Sequence, residues 1–267
     1  MTASPRRQAV LHRTGGLLLL PATVAFLLIV LPLVGLFSRM EWTRLGEHLA
    51  SPTLWPAIRL SLVTTAVTVA LSMLFGTPLA WVIARAPDRT AGWIRSLVTV
   101  PVVLPPVVGG VALLLIYGRH GFVGGPLEAA TGLRLPFTPY AVVLAQLFVS
   151  MPFYVLAVEG ALRGADPRLL EVASTLGASP TRVFFRVGVP LAAPGVVAGA
   201  VLAWARALGE FGATITFAGN FSGTTQTAPL AVYVALQESP QAAVTLSLVM
   251  LVLSVGILAA LRGRWLR

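Results

Sequence analysis

The sequence predicts an all-α, polytopic membrane protein of about six transmembrane helices with both termini in the cytoplasm. Three observations carry this. The 267 residues are 57% hydrophobic and only 10% charged, with a mean hydropathy of +0.87, too little polar surface to cover a soluble core. Several apolar runs reach the roughly 18 or more residues that cross a hydrocarbon layer. All 19 basic residues are Arg and sit mostly in short stretches between those runs. That is the pattern of topology-setting loops, not of a continuous basic groove, so the net charge of +10 does not imply nucleic acid.

The elements follow in order. Residues 1–16 read as a cytoplasmic tail bearing Arg6, Arg7 and Arg13. The apolar run from Gly15 to Phe37 has no small-residue cleavage site before Arg39 and is too long for a signal peptide. It is expected to remain as a first span at 17–38, so that 17–56 holds this helix and an outer loop. Five further spans are expected at 57–84, 99–117, 138–160, 189–215 and 242–261, making 57–261 the core, with a cytoplasmic loop at 161–190 and a tail at 262–267. With Arg59, at the edge of the second span, counted outside, thirteen arginines fall on one side and five on the other, with Arg206 inside a span. The positive-inside rule then puts both termini in the cytoplasm.

Several spans carry helix breakers. The third contains Pro101, Pro105, Pro106, Gly109 and Gly110, and the fourth Met151-Pro152. Membranes tolerate such residues where neighbouring helices or a water-lined path satisfy the freed carbonyls, so ordinary kinks and a pathway lining both fit. The fifth span has small residues four apart, Gly195, Gly199, Ala203 and Ala207. Such a stripe lets helices approach closely and is expected to face protein, not lipid. There is no Cys, and the three His are scattered, so thiolate or His-rich metal sites are not expected.

The connector between the fourth and fifth spans is larger than a link requires. In ADPRLLEVASTLGASPTRVFFRVGVP, residues 165–190, Asp166 can cap a helix with Pro167 at its first position. Gly177 suits a left-handed stop, and Ser179-Pro180 can start a second helix that runs into the fifth span at Pro190. Leu169, Leu170, Leu176, Val183, Phe184 and Phe185 make this a partly apolar knob flanked by Arg, which suits either docking of a partner or a helix lying in the lipid interface.

The spacing Glu171-x5-Gly177-x9-Val187-x-Val189-Pro190 resembles the EAA loop of ABC-importer permeases: E-A-A, three residues, G, nine residues, I-x-L-P. Glu171, Ala173, Gly177 and Pro190 match, while Val172, Val187 and Val189 are conservative departures. The resemblance implies a type I ABC importer permease fold in which Asp166, Leu169, Leu170, Glu171, Ala173, Leu176, Gly177, Ser179 and Pro190 belong to a coupling loop seated on an ATPase subunit. A second block, ARALGEFGATITFAGN at 205–220 followed by TQTAPLAVY at 225–233, is similar to the molybdate branch of these permeases, related to the sulfate and thiosulfate permeases. In the sulfate type the Glu is typically followed by Tyr-Gly; here it is Glu210-Phe211-Gly212.

That resemblance implies a multi-pass bacterial cell-membrane subunit importing molybdate or tungstate by alternating access, with sulfate or thiosulfate as the alternative cargo. The implied partners are a second copy of the chain, two ATPase subunits carrying ATP and Mg, an extracytoplasmic oxyanion-binding protein and the lipid bilayer. The chain has no Lys and no phosphate-binding loop, so it is expected to bind no cofactor itself and not to be an enzyme. A proton-coupled secondary transporter would want several buried acids, and only Glu210 and Glu159 qualify. Arg206 and Glu210, four apart, can pair, and with Phe211, Thr214 and Asn220 they are candidates for an outer gate or pathway. The same pair would serve equally to fix helix packing. The uncharged loop Gly219–Thr227 suits either a neutral pathway lining or a solvated loop facing the binding protein.

Overall fold

The computed structural model describes residues 16–265; Arg6, Arg7, Arg13 and Arg267 of the charge count lie outside them. The described residues form helices and connecting turns, with no strand among them. In chain order the helices are α1 (Gly16–Ser38), α2 (Leu54–Arg85), α3 (Asp88–Val103), α4 (Pro106–Tyr117), α5 (Gly124–Thr131), α6 (Pro139–Gly164) and α7 (Pro167–Thr175). There follow α8 (Pro180–Leu191), α9 (Ala193–Leu208), α10 (Gly212–Phe217), α11 (Ala228–Glu238) and α12 (Pro240–Trp265). A helical turn at Trp42–Arg44 and a short helix at Leu45–Leu49 join α1 to α2.

Four helices are long and apolar enough to cross a membrane, and the number reaches six if two bent pairs each count as one span. The architecture is thus the expected all-α one, but two spans are built differently. The third span, expected as one helix at 99–117, is α3 and α4 meeting at 111°. Leu104 and Pro105 are extended, with ψ of 134° and 131°. Each precedes a proline, which disfavours the helical region, and two consecutive residues without N–H donors end the hydrogen-bond ladder. Met151-Pro152, by contrast, lies inside an unbroken α6.

The fifth span, expected at 189–215, is also not continuous. The second loop helix does not run straight into it: α8 contains a π-helical turn at Phe184–Gly188 and meets α9 at 71°, next to Pro190 and Pro194. Helix α9 ends at Leu208, and Phe211 precedes a separate short helix, α10.

The core forms where α2, α6 and α9 pack together, around Ala80, Ile83, Tyr154, Val155, Val158 and Ala203. A second cluster (Leu113, Ala145, Val149, Ala213, Phe217) joins α4, α6 and α10. A third (Leu54, Ile58, Ala228, Ala231, Leu246) joins α2, α11 and α12. The α2 face towards the interior carries buried Ser61, Thr65, Thr68 and Ser72, spaced by fours and threes. Thr68 donates to Gln146 Oε1 at 3.2 Å, and Ser61 Oγ accepts the Ala228 N–H at 2.7 Å. Hydroxyls in such positions link helices where burial of apolar surface gives no driving force between them.

Candidate functional site

Local sequence chemistry builds the 165–190 connector. Asp166 accepts the Arg168 N–H at 3.0 Å and Pro167 opens α7. Gly177 ends it at φ +82°, while the Leu176, Gly177 and Ala178 N–H groups donate to Val172, Ser174 and Ala173 carbonyls. These bonds satisfy acceptors that a helix end otherwise leaves bare. Ser179 accepts the Arg182 N–H at 3.4 Å, with Pro180 opening α8.

The apolar knob divides into two faces. Leu170 and Val183 point inward and are buried. Leu169, Val172, Leu176 and Phe185 point outward, with Leu176 83% exposed. The inward side is fastened to the end of α2. Phe184 meets Trp81 edge-on with ring centroids 5.3 Å apart, and the Arg85 guanidinium lies 4.4 Å from the centre of the Trp81 ring. A Cβ on Gly188 would lie 2.3 Å from that indole, so only glycine admits the contact. Glu171 is exposed and, with Trp81, Arg85, Arg163, Pro167 and Leu170, lines a cavity of about 280 Å³. Ala173 is half-buried, and Ser179 and Pro190 are exposed.

The small-residue stripe packs on α6. Gly195, Gly199, Ala203 and Ala207 are all buried. A Cβ on Gly195 would lie 2.4 Å from Ala161 Cβ, and one on Gly199 3.0 Å from the Tyr154 carbonyl oxygen. Measured from Ala193, past the bend, Arg206 lies about 20 Å along α9.

Arg206 and Glu210 do pair: Arg206 NH1 donates to Glu210 Oε2 at 2.5 Å. Glu210 is 1% exposed and lies just beyond the C-terminus of α9, at Gly209. Its other oxygen accepts the Ala213 N–H at 2.7 Å, so the carboxylate also caps α10. Helix α10 is pressed against α4: a Cβ on Gly110 would lie 2.8 Å from the Ala213 carbonyl oxygen, and one on Gly212 2.9 Å from Pro106 Cβ. Phe211 packs against Tyr233 of α11 at 5.2 Å. Thr214 is buried with its hydroxyl unpaired, and Asn220 is half-buried. The Gly219–Thr227 loop is exposed only in part, since Thr225, Gln226 and Thr227 are buried.

Sequence reasoning missed three groups. It left Trp81 and Arg85 out of the connector's anchor, although Trp and Arg at one helix end, four apart, are a stacking signal. It did not foresee α4 as the bed for α10, which the Gly109-Gly110 pair could have suggested. It noted Glu159 but not its partners. Glu159 is 2% exposed and accepts from Arg95 of α3, through Nε at 3.1 and 3.2 Å and through NH2, and from Arg163 Nε at 2.8 Å.

Residues 76–267 match the family model described as binding-protein-dependent transport system inner membrane component. The molybdenum transport system permease protein ModB of Mycobacterium tuberculosis is 46% identical over 245 residues, 92% of each chain. Its counterpart from Escherichia coli K12 is 40% identical over 212 residues, 79% of this chain and 93% of that one. A subunit of the bacterial alginate ABC transporter, solved with its alginate pentasaccharide-bound periplasmic protein, shares the fold at a TM-score of 0.69 and 19% identity, covering 96% of this chain and 93% of that one. The capped connector, the bent α8–α9 junction and these matches agree: the chain belongs to the family of binding-protein-dependent transport system inner membrane components.

Proposed function

We propose that this chain is the membrane-spanning permease subunit of an ATP-driven importer of molybdate, and that it is not itself the ATP hydrolase. The observation that carries the cargo is 46% identity along 92% of a molybdenum permease, together with the Glu210-Phe211-Gly212 block. Tungstate, of similar size and charge, would share the route. Two copies of the chain would form the pathway, two ATPase subunits would bind ATP and Mg on the cytoplasmic side, and an extracytoplasmic binding protein would deliver the oxyanion.

The geometry supports a division of labour. The outward apolar face of α7 and α8 (Leu169, Val172, Leu176, Phe185) offers surface to an ATPase. The inward face, fixed on Trp81, passes displacement to α2, and through α8 to α9. At the far end of α9 the Arg206–Glu210 pair ties α9 to the start of α10, and α10 in turn is pressed against α4. We assign the pair to the outer closure: a shift of α9 relative to α4 would strain the Ala213 cap and loosen this contact. Glu210 is therefore both a packing residue and part of the closure.

Reconstitution into proteoliposomes with an ABC ATPase subunit and an oxyanion-binding protein tests the reading. ATP-dependent uptake of molybdate in preference to sulfate is expected. Uptake of sulfate at equal or greater efficiency would overturn the cargo, and uptake without ATP would overturn the mechanism.

A further inference from the structure

The Glu159 cluster lies outside the connector and outside the Arg206–Glu210 site, yet it touches the framework of both. Glu159 lies in the last turns of α6, directly before the connector, and is buried. Of its two guanidinium partners, Arg163 is on the same helix, one turn on, and reaches the Ile83 carbonyl of α2 at 3.5 Å. Arg95 is 64 residues away in sequence, on α3. Both oxygens of Glu159 receive Arg95, the two-pronged geometry that makes guanidinium–carboxylate pairs directional.

The rest of this stretch of α3 is fastened by one apolar edge, Ala91 with Ile94 and Val98, packed on the main core. Ala91 is its only fully buried residue, while Trp93, Leu97 and Val103 are 69%, 70% and 84% exposed. Helix α3 is thus attached by one apolar edge and by the ionic link from Arg95 to the buried Glu159, its directional tie to α6. Beyond Val103 the chain turns through 111° into α4, the bed of α10. A displacement of α6 by the connector thus has a direct path: Glu159 to Arg95, along α3, through the Leu104-Pro105 turn, to α4 and α10. This runs alongside the covalent path through α8 and α9.

We infer that Glu159 and Arg95 are positioning residues that make α3 move with α6, so that connector displacement reaches the α4–α10 contact from both sides at once. Arg163 has a different task. It keeps Glu159 compensated within α6, so the acid is never left buried and unpaired. The inference rests on the reading of the chain as an ATP-driven permease.

The two arginines separate the inference from a merely structural role. R95Q cuts the α3–α6 link but leaves Glu159 paired with Arg163. R163Q keeps the link and removes the partner within α6, together with its long bond to the Ile83 carbonyl of α2. Wild-type complex in proteoliposomes first establishes ATP-driven oxyanion uptake; if that fails, the functional reading fails, whatever the variants do. With uptake in hand, the readout is ATP hydrolysed per oxyanion imported. For R95Q this ratio should rise at least about fivefold, the lower end of typical coupling factors between sites, with the ATPase still bound. R163Q should raise it by clearly less.

Because the chain has no Cys, spin labels at the exposed positions of S96C and G160C report α3 against α6 directly. The distance should stay narrow with and without ATP in wild type and broaden in R95Q. An unchanged ratio and an unchanged distance distribution in R95Q would overturn the inference, as would equal uncoupling by R163Q. If R95Q does not assemble, R95K, which keeps the charge but not the fork, should give an intermediate ratio, and a wild-type ratio there would overturn it.

Discussion

Gly195→Ala adds one carbon where α9 crosses α6. That carbon would lie 2.4 Å from Ala161 Cβ and 2.7 Å from the Ala157 carbonyl oxygen. Non-bonded carbons rest about 3.5–4.0 Å apart, so the two helices must separate by about 1 Å. Neither contact is the far end of a flexible side chain, so rotamer changes cannot absorb the strain. Overpacking of this kind costs about 1–3 kcal/mol, which for a chain of this size lowers the unfolding temperature by about 2–12 °C. Gly92→Ala is the internal control: it also lies within a helix, but a Cβ there meets nothing within 4 Å. It should be neutral or stabilising, since alanine suits a helix interior better by about 0.5–1 kcal/mol. Thermal unfolding of the two variants in detergent, followed by loss of the monodisperse peak, gives the comparison. A G195A midpoint equal to or above that of G92A would refute the close approach of α9 and α6.

Other outcomes follow from the same geometry. Glu210→Ala leaves Arg206 and the Ala213 N–H without their partner and should destabilise the fold by about 3–5 kcal/mol. Glu210→Gln keeps an acceptor for the cap, so it should fold but import more slowly; unchanged uptake with unchanged ATPase stimulation would remove Glu210 from the outer closure. Gly177→Ala forces a side chain into a left-handed residue at φ +82° and should cost about 1–2 kcal/mol, seen as faster amide exchange in α7 but not in α6. Ser179→Ala should weaken the start of α8 by about 1 kcal/mol, again read by local exchange, and protection equal to wild type would contradict the cap.

Much of the fold was legible because membrane helices announce themselves by length and apolarity, and the connector by its caps. Asp166-Pro167, Gly177 and Ser179-Pro180 act through bonds within five residues, so sequence alone places them. The stripe at 195, 199, 203 and 207 was legible for the same local reason, its spacing. What escaped was set by contacts between distant segments. An all-round apolar stretch has no preferred face, so periodicity could not tell that 99–117 is two pieces with α3 starting at Asp88, or that α9 stops at Leu208. Helices α5, α10 and α11 are too short to read as spans. Glu159 was visible as a buried acid, but the identity of its partner depends on how α3 packs, 64 residues away.

The most direct measurement is binding of the ATPase subunit to a chain whose outward connector face is made polar. Leu169 and Leu176 are 48% and 83% exposed, so L169E/L176E leaves the anchoring of Leu170, Val183 and Trp81 intact, and the unfolding temperature should hold. Burying a leucine contributes about 1.5–3 kcal/mol, so losing two should weaken ATPase binding by about a hundredfold or more. ATP-driven uptake should fall with it. A folded L169E/L176E variant that retains the ATPase at wild-type affinity and imports at the wild-type rate would contradict the assignment of this loop as the coupling surface.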